Sequence, residues 1–298
     1  MKFSTIIEGA GLTGVVSYLA YKKISDQMFK NTFSRRDKQD IVEQKYLDWL
    51  IDSHVEQVTV TSFDGLKLNA YDMHNHDTNR YMIMIHGISS SKAFMYPRAF
   101  EFDKLGYNIL LIDQRAAGDS EGDYYTYGLK ESQDLTLWID YLNEKYPGVV
   151  IALFGLSMGA ATVMMSSAYD LPDNVKCIVE DCGYCSLREE LDHYIRTNYK
   201  ISYTDAVLKM IDNKMKKKFG FSIDDVSPKE CLEGNEIPIL FVHGTDDSLV
   251  PYDHAIKNYN HNKGVNKFYP VTGAGHTECN NDPNYYVNIS NFLNEYLI

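Results

Sequence analysis

The chain has 298 residues, enough to bury a full core and to form one α/β domain with an insertion. With 44% hydrophobic residues it has the composition of a globular protein, and its formal net charge of -12 argues against nucleic acid, which binds basic surfaces. Five cysteines, Cys177, Cys182, Cys185, Cys231 and Cys279, are odd in number and clustered, and so read as thiols of a reducing compartment rather than a disulfide framework.

Residues Ile6 to Tyr21 are largely apolar, with Glu8 near their start. They are few and glycine-rich for a spanning helix, and Lys2 alone is a weak basic region for a signal peptide. A membrane-associated helix over residues 3–21, peripheral or single-span, and an ordinary helix packed on the body both fit. If the helix spans, the basic excess of Lys22, Lys23, Lys30, Arg35, Arg36 and Lys38 predicts a cytoplasmic body, in agreement with the unpaired cysteines. Thr32 to Ser53 reads as a polar helix with apolar positions at Ile41, Val42, Tyr46, Leu47 and Leu50. Residues 1–54 thus form an N-terminal helical segment, and the main domain occupies residues 55–298.

Val55 to Thr61 alternates, Phe63-Asp64-Gly65 is a turn, and Leu66 to Tyr71 resumes as a hairpin partner. His74 and His76 follow in a polar loop; their spacing suits a metal, but no third ligand stands nearby, so they read as solvated. Tyr81 to Ile85 is continuously apolar, as expected of a central strand covered on both faces, and ends in His86-Gly87-Ile88. A helix from Ala93 to Leu105 precedes the buried strand Tyr107 to Ile112, which ends at Asp113. The acidic run Asp119, Glu121, Asp123 lacks the spacing of a calcium loop and reads as a turn. A helix from Leu129 to Glu144 stops at Pro147-Gly148.

Val149 to Phe154 then leads into Gly155-Leu156-Ser157-Met158-Gly159 and the small-residue start of a helix. Strand, Gly-x-Ser-x-Gly turn and helix in that order form the context of a nucleophile elbow, in which Gly155 and Gly159 permit close packing around a strained serine. Ser157 would project its hydroxyl, and the Met158 amide at the helix N-terminus would face a developing oxyanion. The second such donor is assigned to the backbone of Ile88, with His86 and Gly87 forming its supporting turn.

The strand Val175 to Glu180 is followed by Cys182-Gly183-Tyr184-Cys185, which has redox-motif spacing but no second pair to complete a four-ligand site. Strand–helix alternation from Met82 to Glu180 predicts a mostly parallel sheet with helices on both faces. Ligands of such sheets bind beyond the carboxyl ends of the strands, where His86, Asp113, Ser157 and Asp181 all fall. Alternation is interrupted at about residues 186–234 by helical, mixed-charge sequence that reads as an inserted cap. Val207, Leu208, Ile211, Met215 and Phe219 form its apolar stripe, for packing against the body or touching a membrane.

The sheet resumes at Ile237 to Val242 and ends in His243-Gly244-Thr245-Asp246-Asp247; a last strand, Lys267 to Val271, ends in Gly273-Ala274-Gly275-His276. A serine hydroxyl needs an imidazole to take its proton and a carboxylate to orient that imidazole. His276 is the candidate base. Asp246 and Asp247 compete for the acid role, and spacing alone does not separate them.

Together, His86-Gly87, Asp113-x-Arg115-x-x-Gly118-x-Ser120, the Gly155–Gly159 elbow, His243-Gly244-x-x-Asp247-x-x-Val250-Pro251 and Gly275-His276 resemble the α/β-hydrolase superfamily, particularly its bacterial serine-aminopeptidase-like and esterase-like members. The resemblance implies the α/β-hydrolase fold with an inserted helical cap, and a triad of Ser157, Asp247 and His276 in that order, with Asp246 left as a turn residue. Ala116, where many relatives have glycine, is the departure and bears on the local turn. The implied activity is acyl transfer on a small-molecule carboxylic ester, with an amide or peptide and a thioester as alternatives, and it requires neither metal nor organic cofactor. A non-catalytic relative that binds a partner or a membrane is the rival from another class; such relatives usually lose a triad residue, and none is missing.

Overall fold

A computed structural model describes residues 3–35, 40–201 and 203–297, with side chains from Tyr18 onward. Lys2, Arg36 and Lys38 of the basic pattern lie outside the described residues. The chain divides into two units: one comprises the N-terminal part to Ser34 with Leu187–Asp225, the other Arg35–Ser186 with Val226 onward.

The larger unit carries one eight-stranded sheet, made of β1 (Val55–Thr61), β2 (Lys67–Met73), β3 (Arg80–Ile85), β4 (Asn108–Ile112), β5 (Val150–Leu156), β6 (Val175–Asp181), β7 (Ile239–Gly244) and β8 (Asn266–Val271). Their order is β1-β2-β4-β3-β5-β6-β7-β8. The pairs β1–β2 and β2–β4 are antiparallel and all others parallel. Chain order reverses between β3 and β5, so their carboxyl ends lie side by side and open the crevice in which such sheets bind ligands.

Continuous apolar strands require cover on both faces, and they have it. On one face Met82, Met84, Ile109, Leu111, Phe154 and Val179 pack with Phe102 of α3 (Tyr96–Lys104) and Phe292 of α10 (Tyr285–Tyr296). On the other, Ile83, Ile85, Leu110, Leu153 and Ile178 pack with Leu135, Trp138 and Ile139 of α4 (Leu129–Lys145) and Val163 of α5 (Met158–Ser166). Alternate residues of each strand thus feed opposite cores. The shorter helices α8 (Pro228–Cys231) and α9 (Asp253–His261) complete the connections around β7.

The single helix expected over Thr32–Ser53 is not formed. The smaller unit's α1 (Phe3–Phe33) stops at Phe33, and α2 (Gln44–Asp52) begins eleven residues later in the larger unit. Tyr46 and Trp49 of α2 join the first core, and Trp49 stacks edge-on with Tyr96 and Phe100. That packing carries the start of the larger unit back from Val55 to Arg35. His74 is exposed and His76 partly so, as a solvated loop requires, and both are tethered: His74 bonds the Tyr81 hydroxyl at 3.1 Å and stacks on Tyr146, whereas His76 meets Asp103 at 3.1 Å. Separate partners hold the two rings.

The smaller unit contains α1, α6 (Leu187–Tyr199) and α7 (Asp205–Phe219). The stripe of α7 is buried at Val207, Leu208, Ile211 and Met215, Phe219 stacks on Phe29 with centroids 5.5 Å apart, and Lys214 pairs with Asp26 at 2.7 Å. Among the described residues, no helix is long and apolar enough to cross a membrane.

Candidate active site

Strand β5 delivers Ser157 to the head of α5 with φ 56° and ψ -115°, a strained conformation that a rigid surround must impose. The surround is tight. A Cβ on Gly155 would stand 2.2 Å from the Gly159 carbonyl oxygen, and one on Gly159 would stand 2.2 Å from that of Ile85. Only glycine permits the helix to lean this closely on β5 and β3. The Ser157 amide donates to the Asp181 carbonyl at 2.8 Å, which fixes the turn to the next strand.

The loop after β8 carries His276 over this turn. Its Nε2 lies 2.8 Å from Ser157 Oγ and its Nδ1 lies 2.7 Å from Asp247 Oδ2. With Nδ1–H donating to the carboxylate, Nε2 is left to accept the serine proton. Asp247 is 6% exposed and its carboxylate is filled: Oδ1 accepts from the amides of Leu249 and Val250, each at 2.9 Å, while His243 approaches Oδ2 at 3.4 Å. Burial opposes its ionisation, but bonds from His243 and His276 outweigh burial and hold the carboxyl well below the usual range. Asp246, by contrast, is exposed. The turn thus directs one aspartate inward, onto His276, and its neighbour to solvent.

Two backbone amides flank the serine. Met158 is the first residue of α5, where an N–H has no acceptor within the helix. Ile88 belongs to the loop after β3, beside the elbow: a Cβ on Gly87 would stand 3.3 Å from Ser157 Cβ. The Gly87 carbonyl accepts from His86 Nδ1 at 2.7 Å and from Ser90 Oγ at 2.9 Å. In a trans peptide the following N–H points the opposite way, so these two side chains set the direction of the Ile88 amide. The Gln114 amide donates to His86 Nε2 at 3.1 Å, which places the proton on Nδ1. Burial lowers the His86 pKa and keeps the ring neutral.

The sequence reading did not assign Ser90, Gln114 or His243. Their sequence signal is a polar residue at or just beyond the end of an apolar strand; Gln114 reaches His86 from another strand, whereas Ser90 acts on Gly87 and His243 on Asp247 within their own strand-end turns. Ala116 has φ 59°, so an alanine here occupies the left-handed conformation that glycine adopts most easily. The turn is kept, with strain, and it lies outside the hydrogen-bonded chain of Ser157, His276 and Asp247.

All five cysteines are free, and Cys182 and Cys185 are both buried. Among the described residues, Cys182, Asp247 and His276 bring ligand atoms within 4.8 Å of one another. They fit a metal poorly. Burial raises the Cys182 thiol well above its ordinary value, so the thiolate ligand is disfavoured, and His276 Nδ1 is engaged by Asp247.

A mostly parallel sheet with a strained serine at its switch point and an ordered Ser–His–Asp chain defines an α/β hydrolase. The fold matches the Pyrococcus furiosus esterase Pf2001, with a TM-score of 0.70, 24% identity, and 90% of this chain and 98% of that one covered. The family model for serine aminopeptidase, S33, matches residues 76–225, and the chain belongs to that hydrolase family. Among sequence relatives, the uncharacterized protein YqkD of Bacillus subtilis is 28% identical over 228 residues, 74% of each chain. The thiohydrolase aneE of Aspergillus aculeatus is 31% identical over 147 residues, which are 47% of this chain and 44% of that protein.

Proposed function

We propose that the chain is a serine carboxylesterase acting through an acyl-enzyme, with Ser157 as nucleophile, His276 as base and Asp247 as its orienting acid. The continuous chain Ser157 Oγ–His276 Nε2–His276 Nδ1–Asp247 Oδ2, with links of 2.8 and 2.7 Å, is the observation that carries this reading. Ser157 Oγ attacks the ester carbonyl as its proton passes to His276 Nε2, and the ionised Asp247 stabilises the imidazolium. The amides of Ile88 and Met158 receive the tetrahedral oxyanion. Collapse expels the alkoxide, which takes the proton from His276; water then attacks the acyl-enzyme with His276 again as base, and the carboxylic acid leaves.

The same machinery accepts other leaving groups, and the comparisons favour two. The family's description points to an amide or peptide, and the name of aneE to a thioester. An ester is preferred because the Pyrococcus furiosus protein Pf2001, which the fold matches, is an esterase and an alkoxide leaves more readily than an amine. A reducing, cytoplasmic compartment suits five free thiols.

One preparation assayed with a p-nitrophenyl acyl ester, an aminoacyl p-nitroanilide and an acyl thioester tests the reading. Ester turnover by the wild type and its loss in Ser157→Ala are expected. Turnover of the anilide alone would make the protein a peptidase, and turnover of none would overturn the hydrolase reading.

A further inference from the structure

Behind the His276 loop lies a buried polar cluster that the acyl-transfer steps do not use. Arg98, in the first turn of α3, is 3% exposed. Its Nη2 donates to the Thr277 carbonyl at 2.8 Å and to Asn280 Oδ1 at 3.0 Å. Thr277 follows His276 directly and has φ 62°, a left-handed conformation that a β-branched residue holds only under outside constraint. The Thr277 amide donates to the Cys182 sulfur. The same Nη2 faces Asp181, whose carboxylate is fully buried, with Nη2 and Oδ2 3.9 Å apart. Tyr285 donates its hydroxyl to that oxygen at 2.7 Å. The main-chain carbonyl of the same Asp181 accepts the Ser157 amide at 2.8 Å.

We propose that Arg98 and Asp181 form a positioning pair that holds the two ends of the proton-transfer step in register. Asp181 grips the nucleophile through its main chain, and Arg98 grips the base through Thr277. Attraction between guanidinium and carboxylate in a dry interior joins the two grips. If Arg98 served only to bury a charge, a carboxylate within hydrogen-bond distance would suit it better; instead its shortest contact is a neutral carbonyl one residue from His276. The proposal rests on Ser157 and His276 acting as nucleophile and base. Positioning of this kind is worth much in rate, since a displacement of roughly 1 Å costs about 100-fold.

Arg98 and Thr277 also line a cavity of about 220 Å³ with Tyr46, Ala93, Phe94 and Pro97, wide enough to admit a guanidinium ion. Arg98→Ala is therefore expected to lower kcat about 10- to 100-fold with KM little changed, and added guanidinium chloride at millimolar concentration to restore part of the loss. Urea, of similar shape without the charge, is expected to restore none. Asp181→Asn is expected to lower kcat in the same way, and Arg98→Lys to retain more activity than Arg98→Ala. The His276 Nδ1 proton supplies a readout that needs no turnover. Its downfield resonance is expected in the wild type, shifted or lost in Arg98→Ala, and recovered with guanidinium. Unchanged kcat in folded variants, equal rescue by urea, or an unmoved resonance would overturn the pair. Should the wild type turn over no substrate, the parent reading fails, while the resonance still decides whether Arg98 positions His276. If Arg98→Ala does not fold, Arg98→Lys and Asp181→Asn carry the same comparison.

Discussion

Two buried arginines in the larger unit face opposite demands. Arg115 spends its donors on carboxylates: Nε and Nη2 fork onto Asp134 at 2.7 Å each, Nη1 and Nη2 reach Asp64 at 2.9 and 3.1 Å, and the guanidinium lies 5.3 Å from the Phe63 ring centroid. Arg98 gives its shortest bond to the Thr277 carbonyl and meets its carboxylate only at 3.9 Å. The first arrangement ties the hairpin turn, the end of β4 and helix α4 together. The second leaves interaction strength at the loop that carries His276. Losing a fully paired arginine should therefore remove stability, and losing Arg98 should remove rate.

The upper bound on rate effects comes from the acid itself. Asp247→Asn is expected to lower kcat about 10⁴-fold, because an amide favours the wrong imidazole tautomer. An Arg98 effect as large as this would mean that the arginine does more than position. Arg115→Met is expected to destabilise by roughly 3–5 kcal/mol in denaturant titrations, since Asp134 is left buried without its partner. The kcat per folded molecule should be retained; a loss of turnover with stability kept would erase the distinction between the two arginines. Ser90→Ala removes one of the two bonds that aim the Gly87–Ile88 peptide and is expected to lower kcat about fivefold, the equivalent of one hydrogen bond. An unchanged kcat would leave that task to His86 alone.

Glu180 provides the smallest effect and a control for Asp181. The two are neighbours on β6, but Glu180 accepts the Gly183 amide at 2.9 Å and makes no ion pair with an arginine among the described residues. Burial pushes its carboxyl up to about 8, against the pull of His243 and the Gly183 amide. An acid raised in this way contributes stability that is present below its unfolded value of about 4.3 and is lost as pH rises toward the folded one. Glu180→Gln is therefore expected to match the wild type near pH 4.5 and to melt about 2–4 °C higher above pH 8, for each kcal/mol relieved. Equal melting curves at both pH values would contradict this, as would a fall in kcat like that expected of Asp181→Asn.

Much of this arrangement is legible in the chain because it is written in short, local units. The elbow needs Gly155 and Gly159 within five residues. His276 and Asp247 each close a strand-to-loop turn, where periodicity locates the strand end, and the apolar runs fix a parallel sheet. Arg98 and Gln114 are different, since their partners come from distant parts of the chain. Nothing within five residues of Arg98 anticipates Thr277, 179 positions away, or Asp181 on another strand. The break between α1 and α2 is hidden for the same reason: the segment's polar periodicity continues, while Tyr46 and Trp49 pack with Tyr96 and Phe100 of α3 in a core far along the chain. The inward turn of Asp247, beside an exposed Asp246, likewise depends on amides supplied by Leu249 and Val250.

The central claim is that Ser157 is an activated nucleophile, and its most direct test is a fluorophosphonate probe applied to the native protein with peptide mapping of the adduct. The account predicts a single phosphonylated residue, Ser157, with labelling abolished in Ser157→Ala and strongly slowed in Asp247→Asn. A wild type that does not label under native conditions, or a Ser157→Ala variant that labels equally, would contradict it.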